Sequence, residues 1–97
     1  MPKAYIVTLY RSISDQEKLA AYGRLAPAAV AAFGGQLLAR GTAAAAYEHG
    51  VKERTVIAEF PSVEKAIAAR ESAAYGEALK ALGDGAVRDQ RIVEGLD

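Results

Sequence analysis

The chain has 97 residues, enough for one domain over 1–97 and too few for a second with its own core. Twelve Lys and Arg balance twelve Asp and Glu, so the basic excess that a nucleic-acid surface carries is missing and no nucleic-acid partner is expected. Cysteine is absent, which removes disulfides, thiolate nucleophiles, iron–sulfur clusters and cysteine zinc sites together.

The run from Met1 to Val7 enters a strand-like pattern at once, without the apolar core and cleavage site of a signal peptide. No apolar stretch approaches the ~20 residues that cross a bilayer. A cytoplasmic protein without membrane contact is therefore expected. Ala4 to Tyr10, rich in β-branched and aromatic residues, predicts a first strand with apolar side chains on both faces. Ser14-Asp15-Gln16-Glu17 matches a capping box with Ser14 as the cap. Leu19, Tyr22, Ala26, Ala29, Val30 and Phe33 continue at helical spacing until Gly34-Gly35. Pro27 falls inside this pattern and predicts a kink or break near Arg24 to Ala26.

Gln36 to Arg40 reads as a short strand, with a bulge or bend at Gly41 and a continuation over Ala43 to Tyr47 toward a turn at 48–53. Arg54 to Phe60 alternates as a strand, and Pro61-Ser62 opens a helix over Val63 to Arg70 that carries Val63, Ala66, Ile67 and Arg70 on one stripe. Ser72 caps a further helix carrying Tyr75, Ala78, Leu79 and Leu82. Gly83-Asp84-Gly85 is a turn, and Ala86 to Val93 a last strand.

This order, with right-handed crossovers, gives an α+β fold of the ferredoxin-like βαββαβ kind: a four-stranded antiparallel sheet with its helices on one face. The other face is left uncovered, and its apolar residues point to a homodimer packed sheet to sheet.

Tyr22, Pro27, Phe33-Gly34-Gly35, Leu38-Ala39-Arg40-Gly41, Glu48, Glu59-Phe60-Pro61-Ser62, Ala66, Ser72, Tyr75 and Val93-Glu94-Gly95 fall together in an order and spacing that covers nearly the whole chain. In this the sequence resembles the domain of unknown function 1330 family. The resemblance implies a dimeric α/β barrel, in which two ferredoxin-like subunits pack their sheets face to face. It implies no single reaction, because the wider group spans cofactor-free monooxygenases, isomerases, haem-degrading enzymes and stress-response proteins. The chain departs from the family pattern at His49, where Gly usually follows the glutamate, and at Ala73-Ala74, where Pro-Glu usually follows the serine.

Few residues suggest chemistry. Arg40, at a strand end, suits a carboxylate or phosphate, or else a structural ion pair with Glu48 or Glu59. Tyr22 and Tyr75, on the apolar stripes of two helices, are core rings or the walls of a ligand pocket. His49 is the single histidine. It excludes a multi-histidine metal site and leaves at most a lone general base, a lone haem ligand or no role, the polar turn favouring the last; no metal is expected, and Glu48 with His49 is the available acid–base pair. Arg88 and Arg91 on the last strand read as a solvated or interfacial charge ladder. No cofactor is implied.

The leading expectation is a homodimer binding a small anionic or aromatic metabolite between sheet and helices through Arg40, Tyr22 and Tyr75. A drug-sized ligand there needs a cavity on the order of 300 Å³. The alternatives are a cofactor-independent monooxygenase or isomerase, and a non-catalytic dimerisation or regulatory module.

Overall fold

The computed structural model describes residues 2–96. Its elements are β1 (Ala4–Ile13), α1 (Gln16–Ala31), β2 (Gln36–Thr42), β3 (Arg54–Phe60), α2 (Val63–Arg70), α3 (Ala73–Leu82) and β4 (Ala86–Glu94). The four strands form one antiparallel sheet in the order β2-β3-β1-β4, so the expected α+β ferredoxin-like architecture is the one observed.

Strand pairing arranges the helix-facing side chains in rows across the sheet. Ala4 stands beside Phe60, and the next row is Leu37, Ala58, Ile6 and Ile92. The third row is Arg40, Val56, Thr8 and Gln90, and beyond it Tyr10 pairs with Arg88 near Arg54 at the start of β3. The inner face thus changes from apolar to polar along the strands. The apolar rows meet Leu19, Ala26, Ala29, Val30, Ala66, Ala69 and Leu82 in the buried core.

Gly34 and Gly35 make the close packing of the apolar end possible. Gly34 adopts φ +80°, and a Cβ on Gly35 would lie 2.5 Å from Phe60 Cε2 and 2.7 Å from Val30 Cγ1, closer than carbon atoms tolerate.

Several local expectations are corrected. The cap of α1 is Asp15, whose carboxylate accepts from the amides of Glu17 and Lys18, each at 3.0 Å. Ser14 is drawn away because its hydroxyl donates to the Asp84 carbonyl in the turn before β4. Helix α1 runs unbroken through Pro27. The missing proline amide deprives the Gly23 carbonyl of its helical partner, and tertiary packing of the flanking Ala26, Ala29 and Val30 outweighs that loss.

The bulge in β2 falls between Leu37 and Ala39 rather than at Gly41, and the strand stops at Thr42 instead of continuing over Ala43 to Tyr47. In α2 the buried pair is Ala66 and Ala69, whereas Ile67 is exposed. The small residues face inward there because the helix lies close to the sheet.

The opposite sheet face carries Tyr5, Val7, Leu9, Ile57, Val87 and Val93 in the alternate register. Leu9, Val87 and Val93 are 39, 57 and 54% exposed. No helix of the described residues is long and apolar enough to cross a membrane.

Candidate functional site

The polar end of the inner face borders a crevice between the sheet and α1. Its walls on one side are apolar: Ile6, Ala26, Pro27, Val30, Leu37 and Ala58. On the other side stand Tyr10, Tyr22, Tyr75, Arg40, Arg54 and Arg88. The volume of the crevice is about 50 Å³, room for a few waters rather than a whole drug-sized molecule.

Three elements deliver these groups. Tyr22 comes from the buried stripe of α1 and Tyr75 from the first turn of α3, where Ser72 Oγ accepts from the Tyr75 amide at 3.2 Å. The two rings meet edge to face with centroids 6.0 Å apart, and their hydroxyls hydrogen-bond to each other. Burial above all, and then the neighbouring Tyr75, hold the Tyr22 phenol well above the ordinary tyrosine range, against the opposing pull of Arg88. It is therefore a neutral donor at physiological pH.

The sheet contributes the arginines that face this pair. The Arg88 guanidinium lies 4.8 Å from the Tyr22 ring centroid and 5.5 Å from that of Tyr10, with a long contact of 3.5 Å from Nη1 to the Tyr10 hydroxyl. The Arg54 guanidinium lies 5.9 Å from the centroid of the same Tyr10 ring. Its Nε is buried without a hydrogen-bond partner, a state that costs about 1–3 kcal/mol when nothing fills it.

Arg40 stands at the exposed edge of the crevice and, among the described residues, forms no ion pair with Glu48 or Glu59. Glu59 is engaged instead by Lys3 at 3.3 Å and by Gln36 at 3.3 Å. Among the described residues no aspartate or glutamate lines the crevice, so three cationic side chains share it without an acidic neighbour in its walls.

Behind the tyrosines, Gln90 ties the wall together. Arg70 Nε donates to Gln90 Oε1 at 2.5 Å, and Gln90 Nε2 donates to Thr8 Oγ1 at 2.8 Å and to the Tyr75 hydroxyl at 3.2 Å. The Arg70 guanidinium also sits 5.1 Å from the Tyr75 ring centroid.

The structure thus brings Arg40, Tyr22 and Tyr75 to one crevice and leaves Glu48 and His49 elsewhere. Glu48 has φ 55° in an exposed turn. His49 borders a separate, broader depression of about 340 Å³ beneath the 43–51 loop, with Leu9, Arg11, Ala46 and Val51. Among the described residues no three His, Asp or Glu side chains gather as a metal site would require.

Sequence reasoning missed Arg54, Arg88 and Gln90. Arg88 is corrected most clearly: it points inward beside Tyr10 rather than joining a charge ladder with Arg91. Arg91 instead pairs on the open face with Asp89 through two contacts of 3.1 and 3.0 Å. The alternation of β4 carried that signal, since Arg88, Gln90 and Ile92 share one face and only Ile92 declares it as inward.

The family model for a domain of unknown function, DUF1330, matches residues 3–96. Among solved structures, a protein of unknown function from Rhodopseudomonas palustris is 24% identical, with a TM-score of 0.71 over 96% of this chain and 80% of that one. SnoaB, a cofactor-independent oxygenase from Streptomyces nogalater, is 12% identical, with a TM-score of 0.65 over 100% of this chain and 96% of its own. A dimeric protein of unknown function with a ferredoxin-like fold from Bacteroides fragilis is 13% identical, with a TM-score of 0.55 over 95% of each chain. These likenesses establish the fold. No match to the chain is found among curated proteins.

Proposed function

The chain belongs to the DUF1330 family, and on the geometry of its crevice we propose that it binds a small organic anion, head first, as a homodimer. The observation that carries this reading is the gathering of Arg40, Arg54 and Arg88 around a crevice with no acidic residue in its described lining. Unopposed guanidiniums against buried rings repel one another in a low-dielectric site, and an anion relieves that cost. The buried, unpartnered Nε of Arg54, a residue that lines the crevice, supplies a donor free for such a group.

The volume narrows the ligand. A cavity of about 50 Å³ admits a carboxylate head, while the body of the molecule lies toward the mouth between Pro27, Leu37 and Arg40. Apolar walls beside cationic groups suit a carboxylate on an aromatic or aliphatic body. Gly23 keeps the mouth wide. It sits in the interior of α1, where glycine costs about 1 kcal/mol relative to alanine, yet a Cβ there would meet nothing within 4 Å.

An oxygenase or isomerase reading needs a base, and the described crevice lining contains no His, Asp or Glu. The phenols and guanidiniums there are donors, suited to holding negative charge rather than to removing a proton.

The homodimer rests on the open face. Apolar side chains across three strands form a patch that a second copy, packed sheet to sheet, would cover. The dimeric Bacteroides fragilis structure with the same fold supports that arrangement.

Titration of the protein with benzoate and, separately, benzylamine tests the ligand reading, followed by amide NMR. Benzoate shifts Gly23, Leu37 and Arg54 and benzylamine does not. Equal responses to both, or none to benzoate, overturn the reading. Sedimentation equilibrium tests the assembly: wild type sediments as a dimer and Val93→Asp as a monomer, and a monomeric wild type refutes it.

A further inference from the structure

We propose that Arg70 and Gln90 set the direction of the hydrogen bonds in the tyrosine pair, so that the Tyr22 hydroxyl offers its proton to the anion in the crevice. This rests on the anion-binding reading above and adds two positioning residues to it, neither of which lines the crevice.

The chain of donors has one consistent direction. Arginine is only a donor, so the atom of Gln90 that meets Arg70 Nε at 2.5 Å must be the amide oxygen. The opposite flip would set two donors against each other. The Gln90 amide nitrogen is then turned toward Thr8 Oγ1 and the Tyr75 hydroxyl, at 2.8 and 3.2 Å, and spends both protons on them.

Tyr75 therefore accepts from Gln90, and its own proton must find another acceptor. Among the described residues the Tyr22 oxygen is the acceptor within reach. Once Tyr22 accepts from Tyr75, its hydroxyl proton has no acceptor among those residues and is free for a ligand. Burial keeps that phenol protonated, and Arg88, stacked on the Tyr22 ring, adds positive charge beside it. The result is a neutral donor aimed where a carboxylate head would sit, which favours acceptors and disfavours ligands that present an N–H or O–H there.

Reversal of the chain tests the proposal. In Gln90→Glu, a carboxylate accepts from both Arg70 and Tyr75, so Tyr22 turns to donate to Tyr75 and presents only lone pairs to the crevice. Benzoate affinity is measured by calorimetry for wild type, Tyr22→Phe, Gln90→Glu and the double variant.

Tyr22→Phe costs about tenfold in the wild-type background, as expected for one hydrogen bond to a charged group, and less than about twofold in the Gln90→Glu background. An equal loss in both backgrounds overturns the relay, because the added charge of the Gln90→Glu carboxylate alone would weaken binding without changing what Tyr22 contributes. Arg70→Met, at a half-exposed position, gives a second route: the amide is released to flip, and the Tyr22→Phe loss again shrinks. A full loss there counts against the proposal.

A ligand-free measurement separates this from failure of the binding reading. With ¹³Cζ-labelled tyrosine, the Tyr22 resonance moves downfield in Gln90→Glu as its oxygen changes from accepting to donating. Tyr75, which accepts one bond and donates one in both proteins, moves less. Absent benzoate binding with this shift present sinks the ligand and leaves the relay; benzoate binding with an unmoved Tyr22 resonance sinks the relay alone.

Discussion

The two ends of the inner sheet face are built from the same strands and do opposite things. At one end Ala4, Phe60, Gly35, Ala66 and Ala69 close on one another, with Phe60 almost wholly buried. At the other, beyond the Ile6 row, Thr8, Tyr10, Gln90, Arg40, Arg54 and Arg88 replace alkyl groups, and a crevice remains. The closed end stabilises the fold by excluding water from carbon. The polar end forgoes some of that stability, holding a buried guanidinium nitrogen without a partner, and such an arrangement is retained in a small domain when something else uses it.

The largest expected effect lies at the closed end. Phe60→Ala should lower unfolding free energy by about 3–5 kcal/mol, read from urea melts; a change below about 1 kcal/mol would mean that Phe60 is not the anchor its burial indicates. At the open end the same kind of truncation should behave differently. Arg54→Met removes the unpartnered nitrogen, so stability should hold or rise while benzoate affinity falls at least about tenfold. A destabilised variant with unchanged affinity would erase the contrast between the ends.

Gly23→Leu sharpens the comparison from the wall side. Without close neighbours for an added Cβ, the helix should gain up to about 1 kcal/mol, while the new side chain narrows the mouth and weakens benzoate binding. Intact binding would place the ligand's path elsewhere.

The smallest effect belongs to the turn outside both ends. Lys18 Nζ and Asp84 Oδ1 lie 2.6 Å apart. The hydrogen bond and charge of Lys18 hold the Asp84 carboxyl below its ordinary range, and Asp84 raises Lys18 in return. A depressed carboxylate pKa contributes stability above the unfolded value, lost as pH falls through the folded one. Asp84→Asn should therefore be slightly less stable than wild type at neutral pH, with the gap closing below about pH 4. Asp84 is almost wholly exposed and Lys18 partly so, so salt should shrink the gap too. A gap that persisted in acid would assign it to some other contact.

The closed end was legible in the sequence because alternation and helical spacing both mark it: Ala58 and Phe60 on β3, and Ala66 on α2, are apolar and point inward. Tyr22 and Tyr75 could be placed for the same reason. The open end was not, because Arg54 and Arg88 carry the residue type of a solvated face, and only strand register turns them inward beside Tyr10. Gln90 was hidden further, since its role depends on Arg70 from a different element. Asp15 displaced Ser14 as the helix cap through a contact with the turn at Asp84, which no local pattern contains. Pro27 suggested a kink or break, and the helix continues through it without a break.

A crystal structure of the protein grown with benzoate tests the central claim most directly. The anion-binding crevice predicts its carboxylate within hydrogen-bond distance of the Tyr22 hydroxyl and Arg54 Nε, with the ring at the mouth between Pro27 and Leu37. A crevice holding only water, or benzoate seated beside His49 under the 43–51 loop instead, would contradict it.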